Sequence, residues 1–235
     1  MRAPMSIFPT SAPDRFPATA SCFSLPGPAG ALDVACDVPA VDVARAGVAV
    51  LCHPHPLQGG TMTNKVVTTL ERALREIGLA TVRFNFRGVG TSQGTFDDGV
   101  GETEDALAVV RWVQSVRPHD ALWMGGFSFG SYVATRVAGQ RPVRQLIAIA
   151  PAVTKWDFHA MTLPTCPWLV VQGEADEVVD PSAVYAFAAS MQPPPDLVRF
   201  ADTGHFFHGR LIELRNTVQD RLRANLPPLA THPHT

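Results

Sequence analysis

Ala121-Leu-Trp-Met-Gly-Gly-Phe-Ser128-Phe-Gly130-Ser-Tyr-Val-Ala-Thr-Arg-Val-Ala138 is the stretch whose reading decides the fold. It opens as a short apolar run, passes through Gly126-Phe-Ser-Phe-Gly130, and continues in residues compatible with a helix. This is the pattern of a strand, a sharp turn and a helix. A serine at the apex of such a turn has its hydroxyl pushed clear of the backbone, and glycines two residues to either side let strand and helix approach without a Cβ clash. The plainer alternative is a glycine-rich turn whose serine caps the next helix.

Outward from this stretch, short apolar runs alternate with helix-period segments from about residue 45, the pattern of a mostly parallel sheet with helices on both faces. Strands are expected at 48–52, 80–85, 121–125, 146–150, 168–171 and 197–200. Helices are expected over 63–78 and 101–116, after the turn at Ser128, from Pro181, and from about residue 208. Residues 20–25 and 31–37 read as an N-terminal antiparallel hairpin turned by residues 27–30. The 235 residues, 46% of them hydrophobic, suit a single α/β domain spanning the chain. Its ends, about 1–18 and 226–235, are rich in Pro, Ala and Thr and are expected to be loosely held.

A net charge of −2 with 17% charged residues offers no basic field for nucleic acid or anionic lipid. The N-terminus places prolines where a signal peptide needs an apolar run, and no later stretch reaches membrane-spanning length, so a cytoplasmic protein without membrane partners is expected. Cys22, Cys36, Cys52 and Cys166 stand far apart and read as reduced thiols, neither catalytic nor metal-binding.

A serine hydroxyl is a weak nucleophile at neutral pH. It needs an imidazole to take its proton and a carboxylate to orient that imidazole. Sites of parallel sheets lie beyond the carboxyl ends of the strands. After the 168–171 strand comes Gln172-Gly-Glu-Ala-Asp-Glu-Val-Val-Asp180-Pro181, where Asp176 is the expected orienter and Glu174 and Glu177 are weaker alternatives. Asp180 precedes Pro181 and reads as a helix cap. After the last strand comes Gly204-His205-Phe-Phe-His208, where His205 is the expected general base.

An oxyanion would be received by the backbone N–H of Phe129 and by a donor from His53-Pro-His-Pro56. Proline has no N–H, so His55 is the expected second donor. A metal pair of His53 and His55 is the competing reading, disfavoured because the loop is locked by proline and lacks an evident third ligand. No metal and no cofactor is expected.

Together these motifs, with Gly59-Gly-Thr-Met-Thr-Asn-Lys65 and Phe84-Asn-Phe-Arg-Gly-Val-Gly90, resemble the α/β-hydrolase superfamily, and within it the small lidless bacterial serine hydrolases related to dienelactone hydrolases. The resemblance implies an α/β-hydrolase fold and a Ser128, Asp176, His205 triad acting on carboxylic esters through an acyl-enzyme. Dienelactone hydrolases carry cysteine where this chain has Ser128. Many relatives have glycine where this chain has Pro54.

Arg87 reads either as a site for a substrate carboxylate or, preferably, as part of a turn-shaping stretch, its side chain tied to backbone or carboxylates. The insert from Pro151 to Pro167 is too short for a cap domain. Its Trp156, Phe158 and Met161, with Phe127, Phe129, Phe206 and Phe207, would line an apolar pocket, although Phe127 reads better as core. A small-molecule ester is the expected partner. A thioesterase or acyltransferase using the same residues is the alternative, and a non-enzymatic ligand-binding protein the more distant one.

Overall fold

The runs rich in β-branched and aliphatic residues are fully buried, and they become neighbouring strands of one sheet. A computed structural model of the chain describes residues 12–230. In chain order the strands are β1 (Ser21–Gly27), β2 (Gly30–Asp37), β3 (Gly47–Cys52), β4 (Ala80–Phe84), β5 (Ala121–Phe127), β6 (Gln145–Ile149), β7 (Trp168–Gly173) and β8 (Asp196–Phe200). They lie in the order β1-β2-β4-β3-β5-β6-β7-β8. The β1–β2 hairpin and the β2–β4 pair are antiparallel, and every other pairing is parallel.

The crossovers are α1 (Lys65–Glu76), α2 (Val100–Val116), α3 (Phe129–Ala138) and α4 (Pro181–Ser190), and α5 (Leu211–Leu222) follows β8. Alternation along the strands separates two cores. Leu122 and Met124 of β5 join Val110, Val133 and Phe187 under α2, α3 and α4. Trp123 and Phe127 of the same strand join Leu70, Leu74 and Val218 under α1 and α5. Period-two alternation in a doubly covered sheet requires both faces to be apolar.

The chain leaves β3 in one direction to form β4 and returns on its other side to form β5. The carboxyl ends of β3 and β5 therefore flank a topological switch point, where loops diverge and leave a crevice. The turn at Ser128 and the His53–Pro56 loop meet there.

Element boundaries differ from expectation mainly at α5, which begins at Leu211 rather than near residue 208. Phe207 (φ 52°) and Gly209 (φ 73°) are left-handed, and the turn they form delays the helix. The described parts of the two ends are tied down rather than loose. Pro13 O accepts from Trp112 Nε1 at 3.0 Å, Phe16 stacks on Trp112, and Leu229 bridges to Arg45. Residues 1–11 and 231–235 lie outside the described residues. All four cysteines are free, and no helix among the described residues is long and apolar enough to cross a membrane.

The tightest approach in the fold is at the β5–α3 turn. A Cβ on Gly126 would overlap the carbonyl of Gly130, and one on Gly130 would overlap the carbonyls of Cys52 and His53. Both obstacles are backbone and have no rotamer to move to. Gly130→Ala is expected to cost about 2–3 kcal/mol, roughly 4–12 °C in Tm. Thermal melts check this, and an unchanged Tm would show that the β3–α3 contact is slack.

Candidate active site

Ser128 occupies φ 56°, ψ −118°, a conformation that a non-glycine residue adopts only under constraint, at a cost of about 1–3 kcal/mol. Three contacts hold it. Its N–H donates to Ile149 O at 2.9 Å, and its carbonyl accepts from Ser131 N–H at 3.0 Å. The Ser131 hydroxyl then reaches Gly126 O at 2.8 Å and Ile149 O at 3.1 Å, lacing the turn to the end of β6. Ser128 itself is 8% exposed, and its hydroxyl makes no hydrogen bond to another described residue.

Asp176 lies in the loop after β7 and His205 in the loop after β8. Glu174 N–H donates to Phe200 O at 2.9 Å and Ala175 N–H to Thr203 O at 3.1 Å, so the two loops run together. Phe207, buried against Phe200 at a centroid distance of 5.5 Å, anchors the second loop in the core. His205 is thereby placed with Nδ1 2.8 Å from Asp176 Oδ2. Its ring packs on Phe127, the residue before Ser128, with centroids 4.9 Å apart.

The Asp176 carboxylate accepts from three further donors. Val178 and Val179 N–H reach Oδ1 at 2.8 Å each, and Gln172 Nε2 reaches Oδ2 at 3.0 Å. Burial alone would raise this carboxyl, but the hydrogen bonds from His205 and the two valine amides outweigh it and hold the group below its ordinary value. An ionised Asp176 makes His205 Nδ1 the donor, so Nε2 of the neutral ring is left as an acceptor for a hydroxyl proton.

Of the two alternative carboxylates, Glu174 is exposed and Glu177 reaches the backbone of His205, accepting its N–H at 3.1 Å. Asp180 caps α4, accepting from Ser182 N–H at 2.9 Å. His208 is exposed and packs on Phe206.

The start of α3 abuts the end of β3, which brings Phe129 next to the His53–Pro56 loop, with the His55 and Phe129 rings 5.3 Å apart. Neither the Phe129 N–H nor the His55 N–H has an acceptor among the described residues. The His55 peptide is held by its carbonyl, which takes Gln58 and Gly60 N–H at 3.0 Å, and by its ring Nδ1, which takes Leu57 N–H at 3.2 Å.

His53 is fully buried, and both of its ring nitrogens are engaged. Nε2 accepts from Phe86 N–H at 3.0 Å, so Nδ1 carries the proton and donates to Pro54 O at 2.7 Å. It clamps the His53–Pro56 loop to the loop after β4. Among the described residues no group of three His, Cys, Asp or Glu is arranged to hold a metal.

Arg87 ties its turn to α2. It grips the fully buried Asp105 at 2.8 and 3.0 Å, and Asp105 also takes the Arg87 N–H. Of the aromatic residues expected to line a pocket, Phe127, Phe158 and Phe207 are core, whereas Trp156 is half-buried and Phe206 exposed. Gln172, Ser131 and the role of Glu177 escaped sequence reasoning. A glutamine in an otherwise apolar buried strand was the one signal available for the first.

An uncapped parallel-sheet fold, a serine on a strained strand-to-helix turn and a histidine–carboxylate pair beside it define an α/β serine hydrolase without a lid. Residues 32–166 match the model of the X-Pro dipeptidyl-peptidase (S15) family, an α/β-hydrolase-fold family, and the chain belongs to that family. It is 50% identical to XC6422 of Xanthomonas campestris, described as an α/β serine hydrolase without lid, covering 93% of this chain and 100% of that one with a TM-score of 0.89. An α/β serine hydrolase homologue of Coxiella burnetii is 49% identical over 88% of this chain and 99% of its own, with a TM-score of 0.85. The uncharacterized protein RP471 of Rickettsia prowazekii is 34% identical over 76% of this chain and 79% of its length.

Burial pushes the His53 imidazole down from the ordinary 6.5 to about 4. The unfolded chain takes up this proton as pH falls below 6.5 while the folded one does not. The stability that depends on a neutral His53 is therefore complete above pH 6.5 and falls by about 3 kcal/mol between pH 6.5 and 4. Denaturant unfolding of wild type and His53→Gln across that window is expected to show a shallower pH slope in the variant. Equal slopes would exclude His53 as the titrating group.

Proposed function

We propose that the protein hydrolyses carboxylic esters of small to medium acyl chain through an acyl-enzyme, as a cytoplasmic enzyme acting on small-molecule substrates. Ser128 is the nucleophile, His205 the general base and Asp176 its orienter. The backbone N–H groups of Phe129 and His55 receive the oxyanion. The observation that carries the reading is the 2.8 Å hydrogen bond from His205 to Asp176, with the His205 ring packed against the residue before Ser128.

In the first half-reaction Ser128 Oγ bonds to the carbonyl carbon as its proton passes to His205 Nε2. Asp176 stabilises the imidazolium. The tetrahedral oxyanion takes hydrogen bonds from the two peptide N–H groups, which have no competing acceptor among the described residues. Collapse breaks the bond to the alcohol oxygen, which leaves with the proton from His205. Water, deprotonated by the same nitrogen, then releases the acid and restores the serine.

The match to an X-Pro dipeptidyl-peptidase model makes amide cleavage after proline the second reading. A panel of ethyl esters and thioesters of graded acyl length, together with a dipeptidyl-prolyl anilide, separates the two. Esters are expected to turn over faster than the anilide; thioester turnover above that of the matched ester would move the assignment to a thioesterase.

A fluorophosphonate is expected to label wild type and not Ser128→Ala. Asp176→Asn is expected to lower kcat by about 10³- to 10⁴-fold, because the wrong tautomer then faces the serine. Folded wild-type protein that takes no label would overturn the serine-hydrolase mechanism.

A further inference from the structure

Four half-buried rings converge beside the turn at Ser128 from four separate segments. They are His55 in the loop after β3, Phe96 before α2, Tyr132 in α3 and Trp156 in the insert between β6 and β7. Phe129 lies behind them, with centroids 4.8 Å from Trp156, 5.3 Å from His55 and 5.9 Å from Phe96. His55 and Phe96 are 4.8 Å apart, Trp156 and Tyr132 5.2 Å, and Trp156 and Phe96 6.5 Å. The interplanar angles are tilted or edge-on, the geometries that ring quadrupoles favour.

Trp156 is held in place even though its insert carries neither helix nor strand. Its N–H donates to Ala152 O at 3.1 Å, and its carbonyl accepts from Phe158 N–H at 3.0 Å. Phe158 is buried between Tyr132 and Phe187 and anchors the insert. Asp157 Oδ1 accepts from His159 and Ala160 N–H and closes the turn that follows. The half-buried face of Trp156 is thus a fixed surface. Burial and Lys155 also lower the His55 imidazole below its ordinary value, which favours the uncharged ring and suits an apolar neighbour.

We infer that the substrate's acyl arm ends in an aromatic ring, and that His55, Phe96, Tyr132 and Trp156, backed by Phe129, form the wall that receives it. The inference rests on the ester-hydrolase reading of Ser128. The direction of the arm follows from the chemistry. The leaving oxygen must meet His205, whose ring neighbours are Phe127 and Phe206, so the alcohol arm passes over Phe206. The acyl arm points the other way, and the two peptides proposed to hold its carbonyl oxygen belong to His55 and Phe129, both members of the cluster. A saturated chain would bury against this wall, but only an aromatic group adds edge and face contacts with several rings at once.

The test compares ethyl 3-phenylpropanoate with ethyl 3-cyclohexylpropanoate, which differ in the aromaticity of one ring, with rates expressed per fluorophosphonate-titrated site. Wild type is expected to prefer the phenyl ester about three- to tenfold in kcat/KM. Trp156→Leu and Phe96→Leu are each expected to move that ratio toward one, and Trp156→Phe to retain it. If Trp156→Leu fails to fold, Phe96→Leu carries the same comparison. Wild type that hydrolyses ethyl butanoate but shows no phenyl preference would overturn the aromatic wall and leave ester hydrolysis standing. A ratio unmoved in both leucine variants would also overturn it. Folded protein that neither labels nor turns over any ester would overturn both readings.

Discussion

The contact on which the site depends is the one between the carboxyl end of β5 and the first turn of α3, where two backbones come closer than any side chain allows. Gly126 faces the Gly130 carbonyl, and Gly130 faces the carbonyls at the end of β3. Because strand, helix and neighbouring strand are in mutual backbone contact, Ser128 has nowhere to go but the left-handed conformation at the apex. The surrounding hydrogen bonds, with the Ser131 hydroxyl spanning Gly126 and Ile149, over-determine that conformation. The same contact brings Phe129 beside the His53–Pro56 loop.

Around this point the Asp176 carboxylate and the His53 ring are buried and paired, whereas the Gln172 carbonyl oxygen is buried without a partner among the described residues. The Asp176 carboxylate has four donors, and the His205 loop is tied to the Asp176 loop through Glu177 and two backbone bonds. His53 spends both ring nitrogens on backbone partners. Buried and paired, the Asp176 carboxylate and the His53 ring are held stiffly, and stiffness is what pre-organised electrostatics require. A site built this way does not need a lid to order it, which agrees with the short insert between β6 and β7.

Much of the architecture was legible because it is written locally. Apolar runs bounded by glycine and proline mark strands, 3.6-residue periodicity marks helices, and Gly126 and Gly130 mark the turn. The boundary of α5 was not legible, because it depends on Phe207 folding back into the core against Phe200. The ends were expected to be loose on composition, yet the described parts are held by Trp112 and Arg45, residues distant in sequence. Arg87 and Asp180 were read as structural from their local context, and their contacts are structural.

The sequence by itself determined the order of elements, the α/β-hydrolase class and the candidate residues Ser128, Asp176 and His205. Each follows the carboxyl end of a strand, Ser128 directly and Asp176 and His205 a few residues on, and strand ends can be read from a single stretch of chain. Only the tertiary structure decided which partners surround them. Gln172 and Glu177 brace the Asp176 and His205 loops, Phe158 and Phe207 go to the core, and His55, Phe96, Tyr132 and Trp156 meet in one wall. Those choices depend on which segments far apart in sequence become neighbours, a property of the strand order and of the switch point between β3 and β5 rather than of any local pattern.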